Sequence, residues 1–140
     1  MKIQFVCTGN TFRSRIAEAY LKSKQISDLE VTSSGIEAKK NLNGTVCEYT
    51  VSVLEKAGLK AFLGKKWHET TKTELENQDL VIFMEKKQAN FCLKQLKCHL
   101  DRYEIWEIRD INSKKENDSI TLFAKKTFEE IKENVGKLTF

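Results

Sequence analysis

Residues 80–84 read Leu-Val-Ile-Phe-Met, an apolar run with no polar interruption. It is far shorter than the roughly 20 residues of a membrane-spanning helix. It also lacks the polar face of a surface helix or of a half-exposed strand. A short run of this kind is the mark of a strand covered on both faces, as in a parallel sheet. Parallel strands cannot be joined by hairpins and need crossovers, usually helices. The rest of the chain should therefore alternate strand and helix.

It does. Residues 2–6 form a short strand of Ile, Phe and Val. A helix follows, with Ile16, Ala19 and Tyr20 at helical spacing and Glu18 near its start. Val31-Thr32-Ser33 is a second strand, broken by Gly35. Val46, Tyr49, Val53, Leu54 and Ala57 trace one face of a helix over 45–57, with Gly58 as its C-terminal cap. A short helix over 71–76 is capped by Thr70 or Thr71. After the run at 80–84, Ala89, Cys92, Leu93 and Leu96 mark another helix. Residues 103–108 are aromatic and β-branched enough for a strand, and 112–118 form a polar loop. Ile120, Phe123, Phe128, Ile131, Val135 and Leu138 give a final amphipathic helix. The expected fold class is α/β: a four-stranded parallel sheet flanked by helices on both faces, with residues 1–140 as one domain.

Composition removes several function classes. Eight Phe and 40% hydrophobic residues argue against disorder, and the absence of proline excludes collagen-like and Pro-rich architectures. Of the 24 basic residues 20 are Lys, spread without a dense block, so the net charge of +4 points to no nucleic-acid partner. No apolar run suits a membrane, and the N-terminal run is too short for a signal peptide. The expected setting is the reducing cytoplasm, where the four cysteines serve as thiols rather than disulfides.

The chemistry concentrates at Cys7-Thr8-Gly9-Asn10-Thr11-Phe12-Arg13-Ser14, between the first strand and the first helix. Ligands of open α/β sheets bind where strands end and helices begin. A helix N-terminus offers unpaired N–H groups and partial positive charge to an oxyanion. Gly9 permits close backbone approach, and Asn10 tolerates a left-handed turn that lets successive N–H groups converge. Arg13 can grip two oxygens with its planar fork. A cysteine in such a field is suited to act as a nucleophile. The pattern G-x-x-x-x-G-K-[ST] of nucleotide-binding loops is absent.

Residues 6–14 resemble the N-terminal signature of the low molecular weight protein tyrosine phosphatase family. The resemblance continues through Ile16-Ala17-Glu18-Ala19, Val31-Thr32-Ser33-Ser34-Gly35 and Asp79 to Met84. It implies a two-step phosphoryl transfer without metal or cofactor, acting on phosphorylated protein or peptide. Cys7 would attack phosphorus. Thr8, Gly9, Asn10, Thr11, Phe12, Arg13 and Ser14 would surround the phosphoryl oxygens. Ser14 would hydrogen-bond the Cys7 sulfur, and Asn10 would bond Ser33 and Ser14 to hold the loop. The general acid would be Asp110, with Asp118 as the alternative. The implied protein is a monomer.

Several positions depart from the family pattern. Phe12 stands where many members carry a second cysteine. Arg15 replaces a common proline and is either a charge near the loop or a solvated side chain. Ile111 and Asn112 replace the proline and aromatic residue that usually follow the acid. The resemblance ranks phosphotyrosine first as substrate. Thr11 is the feature that favours the protein-arginine phosphatase branch. Cys92 and Cys98 leave an arsenate reductase-like redox enzyme open, and the altered acid loop leaves an inactive oxyanion-binding module open. A zinc site from Cys98, His99 and His68 lacks paired ligand spacing. Cys47 and Cys92 are expected as packing residues on helices.

Overall fold

The computed structural model describes residues 1–40, 44–113 and 119–140. Strand β1 (Lys2–Cys7) lies inside the sheet, paired in parallel with β2 (Glu30–Gly35) and with β3 (Leu80–Phe83). Strand β4 (Tyr103–Ile105) extends the far edge, giving the order β2-β1-β3-β4, parallel throughout. The alternation of side chains along a strand then builds two cores. Ile3, Phe5 and Cys7 of β1 join Leu80, Ile82 and Met84 on one face. Val6, Val81 and Phe83 point to the other. The uninterrupted run at 80–84 is shared between both cores, which explains why no polar residue divides it.

The first core is roofed by α1 (Arg13–Ser23), through Ile16, Ala17 and Leu21, and by α5 (Ile120–Gly136), through Ala124, Phe128, Ile131 and Val135. Helix α2 (Glu48–Lys56) packs on α1 and α5. The second core is closed by Leu75 of α3 (Lys72–Glu76), Ala89 of α4 (Lys86–Asn90), and the thiols Cys92 and Cys98.

Five local features differ from the sequence reading. Helix α2 starts at Glu48, so buried Cys47 is the residue that precedes the helix rather than one within it. Gly35 ends β2 instead of breaking it. The expected long helix through Leu96 divides: α4 passes into a wider turn at Phe91–Gln95, and Lys97 leaves it with φ of 56°. The strand expected over 103–108 stops at Ile105, because Glu107 takes φ of 55°. That turn lets Trp106 pack against Phe5 while the Ile108 N–H donates to the Met84 carbonyl. A short 3₁₀ turn occupies Ile111–Ser113 at the start of the expected loop. Residues 114–118, including Asp118, lie outside the described residues. Thr71 caps α3 by accepting from the Glu74 N–H at 3.3 Å, and Gly58 leaves α2 with φ of 74°. No helix among the described residues is long and apolar enough to cross a membrane.

Candidate active site

The five backbone positions between β1 and α1 turn through Asn10, whose φ is 55°. Asn and Gly are the residues that accept this left-handed conformation at least cost. Asn10 is fully buried and held on several sides. Its Nδ2 donates to Ser14 Oγ at 2.8 Å and to Ser33 Oγ at 2.9 Å. Its Oδ1 accepts from the His68 N–H at 2.8 Å. Its own N–H donates to the Cys7 sulfur at 3.2 Å. Ser14 Oγ lies 2.9 Å from that sulfur; since it already accepts from Asn10, its hydroxyl proton is available to Cys7. Ser33 passes its proton to Glu18 at 2.6 Å, which fixes the direction of the chain Asn10 to Ser33 to Glu18.

The carbonyls of the loop are held from outside. Cys7 O accepts from the Ile36 N–H at 3.0 Å, and Thr8 O from the Glu37 N–H at 2.8 Å. Asn10 O accepts from Arg15 Nη1 at 3.1 Å. Thr11 O accepts from the Cys47 N–H at 3.0 Å and from Thr50 Oγ1 at 2.7 Å. Phe12 O accepts from the Ile16 N–H at 2.9 Å, as a helix requires. In a planar trans peptide the C=O and the following N–H point in opposite directions. Anchoring these carbonyls outward therefore turns the N–H groups of Thr8, Gly9, Thr11, Phe12 and Arg13 toward the cavity that Cys7 borders. That cradle is preorganised for an oxyanion, because its donors need no rearrangement when charge develops.

Arg13 is almost fully buried. Its Nη1 donates to Glu85 Oε1 at 2.5 Å and to the Ile108 carbonyl at 2.7 Å. Its Nη2 lies 3.6 Å from Asp110 Oδ2. One nitrogen is thus tied to the scaffold, while the side of the fork carrying Nη2 faces the cavity. Arg13, Asp110, Asn112 and Glu37 line that cavity together with Cys7 and Thr11. Asp110 Oδ1 accepts from the Asn112 N–H at 3.4 Å, a long bond on a half-open arm.

The structure brings Cys7, Thr8, Gly9, Thr11, Phe12, Arg13 and Asp110 to one cavity, with Asn10, Ser14 and Ser33 beneath it. Phe12 also packs into the first core. Arg15, weighed in the sequence as a charge near the loop or a solvated side chain, is buried and bonded to the loop. Several contributors were missed. Glu85 holds Arg13, and fully buried Gln88 joins that holder to the loop: its Oε1 accepts from the Glu85 N–H and its Nε2 donates to Thr8 Oγ1 at 3.0 Å. The reciprocal Glu85–Gln88 capping box of α4 was the available signal. Gly35 is a second. A Cβ there would lie 2.6 Å from both Asn10 N and Thr8 O, so the end of β2 must be glycine for the loop to pack on it. At Gly9 a Cβ would meet only Thr11 Oγ1, at 3.4 Å, so the protein itself requires glycine more strongly at Gly35.

Cys92 and Cys98 sit apart from this site. Cys7 packs in the first core, Cys92 and Cys98 in the second, and all are free thiols. Burial pushes the Cys92 thiol up to about 12, with the neighbouring Cys98 adding to the effect. Burial also raises Cys98 and Cys47. Among the described residues no three His, Cys, Asp or Glu side chains gather as a metal site.

Comparison with known proteins gives this geometry a family. Residues 2–139 match the model of the low molecular weight phosphotyrosine protein phosphatases. A protein-arginine phosphatase from Geobacillus stearothermophilus is 35% identical over 105 residues, covering 67% of this chain and 70% of that protein. A YwlE mutant from Bacillus subtilis superposes with a TM-score of 0.76 at 28% identity, covering 95% and 92% of the two chains. A C7S mutant of YwlE arginine phosphatase, with its active-site serine phosphorylated, is 27% identical with a TM-score of 0.76 over 95% and 90%. A low molecular weight protein tyrosine phosphatase from the same organism is 27% identical with a TM-score of 0.73 over 95% and 91%. The chain belongs to the low molecular weight phosphotyrosine protein phosphatase family and is a cysteine-based phosphatase.

Proposed function

We propose that the chain removes phosphoryl groups from phosphorylated protein side chains through a phosphocysteine at Cys7, with phosphoarginine as its preferred substrate. The observation that carries the chemistry is the single cavity bordered by Cys7, Arg13 and Asp110. The Cys7 sulfur attacks phosphorus, and the bond from phosphorus to the leaving atom breaks as the S–P bond forms. Arg13 and the inward N–H groups hold the equatorial oxygens. Protonated Asp110 gives its proton to the departing nitrogen or oxygen. Its carboxylate then takes a proton from water, which attacks phosphorus, releases phosphate and returns Cys7. Ser14, 2.9 Å from the sulfur, stabilises the departing thiolate.

The walls favour the guanidinium substrate. Glu37, Asp110, Asn112 and Thr11 supply carboxylates and polar atoms around the mouth. A guanidinium can donate to these groups, whereas Phe12, the one aromatic lining residue among those described, is buried at 3% exposure and committed to the core. The similar arginine phosphatases support the same reading. Phosphotyrosine is the second reading, favoured by the family match and the Bacillus subtilis tyrosine phosphatase. A redox relay is disfavoured by the placement of Cys7 and of Cys92 and Cys98 in different cores.

Matched phosphoarginine and phosphotyrosine peptides decide the substrate. The expected result is a higher kcat/KM on phosphoarginine, with Thr11→Ile shifting preference toward phosphotyrosine. A wild-type preference for phosphotyrosine that Thr11→Ile leaves unchanged would overturn the assignment while leaving the phosphatase chemistry intact.

A further inference from the structure

Arg15 is an unusual tenant for the first turn of a helix. A cation near a helix N-terminus opposes the macrodipole, and a guanidinium buried to 1% exposure loses its hydration. Burial lowers its pKa from the ordinary value, partly offset by Glu18 and by Cys7. Such a group persists only where hydrogen bonds compensate it. Arg15 has them. Nη1 donates to the carbonyls of Asn10, at 3.1 Å, and Thr45, at 3.2 Å, while Nη2 donates to the carbonyl of Gly64. Three segments distant in sequence are thereby fastened to one side chain.

The contact with Asn10 has a chemical consequence. Among the outward carbonyl bonds described above, those of Cys7, Thr8 and Phe12 are taken by backbone N–H groups and that of Thr11 by backbone and Thr50. At Asn10, the loop's left-handed residue, the bond comes from a charged side chain. The same peptide unit carries the Thr11 N–H. If the Asn10 carbonyl rotated inward, that donor would turn away from the cavity and a carbonyl dipole would meet the oxyanion instead.

We propose that Arg15 is a positioning residue for phosphoryl transfer: its guanidinium holds the Asn10 carbonyl outward, and so keeps the Thr11 N–H aimed into the oxyanion cradle. Anchorage at Thr45 and Gly64 prevents the guanidinium from following the loop. Arg13 and Arg15 thus divide the work, one facing the phosphoryl group and the other facing the back of the loop. The proposal rests on the Cys7 loop being the phosphoryl site and is independent of whether the leaving group is arginine or tyrosine.

The test is Arg15→Met, which keeps an unbranched stem and removes the donors. Steady-state kinetics on an aryl phosphate and competitive inhibition by inorganic vanadate are read together with Tm. The expected result is a kcat lower by about 10- to 100-fold, consistent with a misdirected oxyanion donor, and a vanadate Ki raised about tenfold. Ile131→Val, on the buried face of α5, serves as the comparison for lost stability alone and should lower Tm with kcat and Ki unchanged. A folded Arg15→Met protein whose Tm falls while kcat and Ki stay within about twofold of wild type would show a merely structural role and overturn the proposal. If Arg15→Met does not fold, the same constants are measured in Arg15→Lys, whose ammonium cannot bridge the separated carbonyls. Wild-type values there would also overturn it, and a raised Ki with a reduced kcat would sustain it. Failure of vanadate to compete in the wild-type protein would instead reject the phosphoryl site itself.

Discussion

The two segments that meet at the cavity are built in opposite ways. The loop from Cys7 to Ser14 is almost wholly buried, and its outward carbonyls are held by Ile36 and Glu37 just past β2, by Cys47 and Thr50 at the start of α2, by Ile16 of α1 and by Arg15. The arm over 106–113 has little regular structure and several exposed residues, and it is anchored chiefly at Ile108 and Ile111. Ile108 bonds Met84 through its N–H and Arg13 through its carbonyl. Asp110 beside it keeps 23% of its side chain exposed. The contrast fits the proposed chemistry. Donors to an oxyanion work best when fixed in advance, whereas a group that protonates a departing side chain must admit that side chain and let it leave.

Substitutions in the rigid loop should act regardless of leaving group, and substitutions in the arm should depend on it. The largest effect is expected for Cys7→Ser, which should reduce aryl phosphate turnover by at least about 10⁴-fold with Tm near that of the wild type. Arg13→Lys keeps the charge and loses the fork, so kcat should fall by about 10³-fold for activated and unactivated substrates alike. Gly35→Ala forces a Cβ against Asn10 N and Thr8 O. It should cost roughly 1–3 kcal/mol of stability, seen as a lower denaturation midpoint, together with most of the activity. Asp110→Asn should lower kcat/KM for substrates with poor leaving groups by about 10²-fold and leave kcat/KM for highly activated ones nearly unchanged, since that ratio excludes the later attack of water. An equal loss on both would place the acid elsewhere.

The smallest effect lies in the second core. Burial holds Cys92 protonated up to about 12 against an ordinary thiol value of 9.0. Between those values the native state binds more protons than the unfolded chain, so its contribution to stability falls as pH rises through that window. Cys92→Ala should therefore show a shallower decline of Tm above pH 9 than the wild type and near-wild-type turnover at neutral pH. Loss of turnover in that variant would revive a chemical role for the thiol.

The strand, loop and helix around Cys7 were legible in the sequence because each rests on local signals: a β-rich run, a Gly-Asn turn and a helical repeat. The sheet and its two faces followed from the run at 80–84. The supports of the site were not legible, because they depend on contacts between distant parts of the chain. Glu85 reaches Arg13 across 72 positions, and Gln88 reaches Thr8 across 80. The need for glycine at Gly35 exists only once β2 lies against the loop. Arg15 could not be assigned from charge alone, since its role depends on where the carbonyls of Thr45 and Gly64 fall. The arm was misread as a longer strand because its apolar residues Trp106 and Ile108 serve the core through a turn at Glu107.

The most direct test is to trap the intermediate. In the proposed mechanism Asp110→Asn slows the water attack that frees Cys7, so rapid acid quench with an activated aryl phosphate, followed by mass spectrometry of the peptides, should find a phosphoryl group on the peptide bearing Cys7. Continued release of the aryl product with no adduct on Cys7, or with the adduct on another residue, would contradict the account.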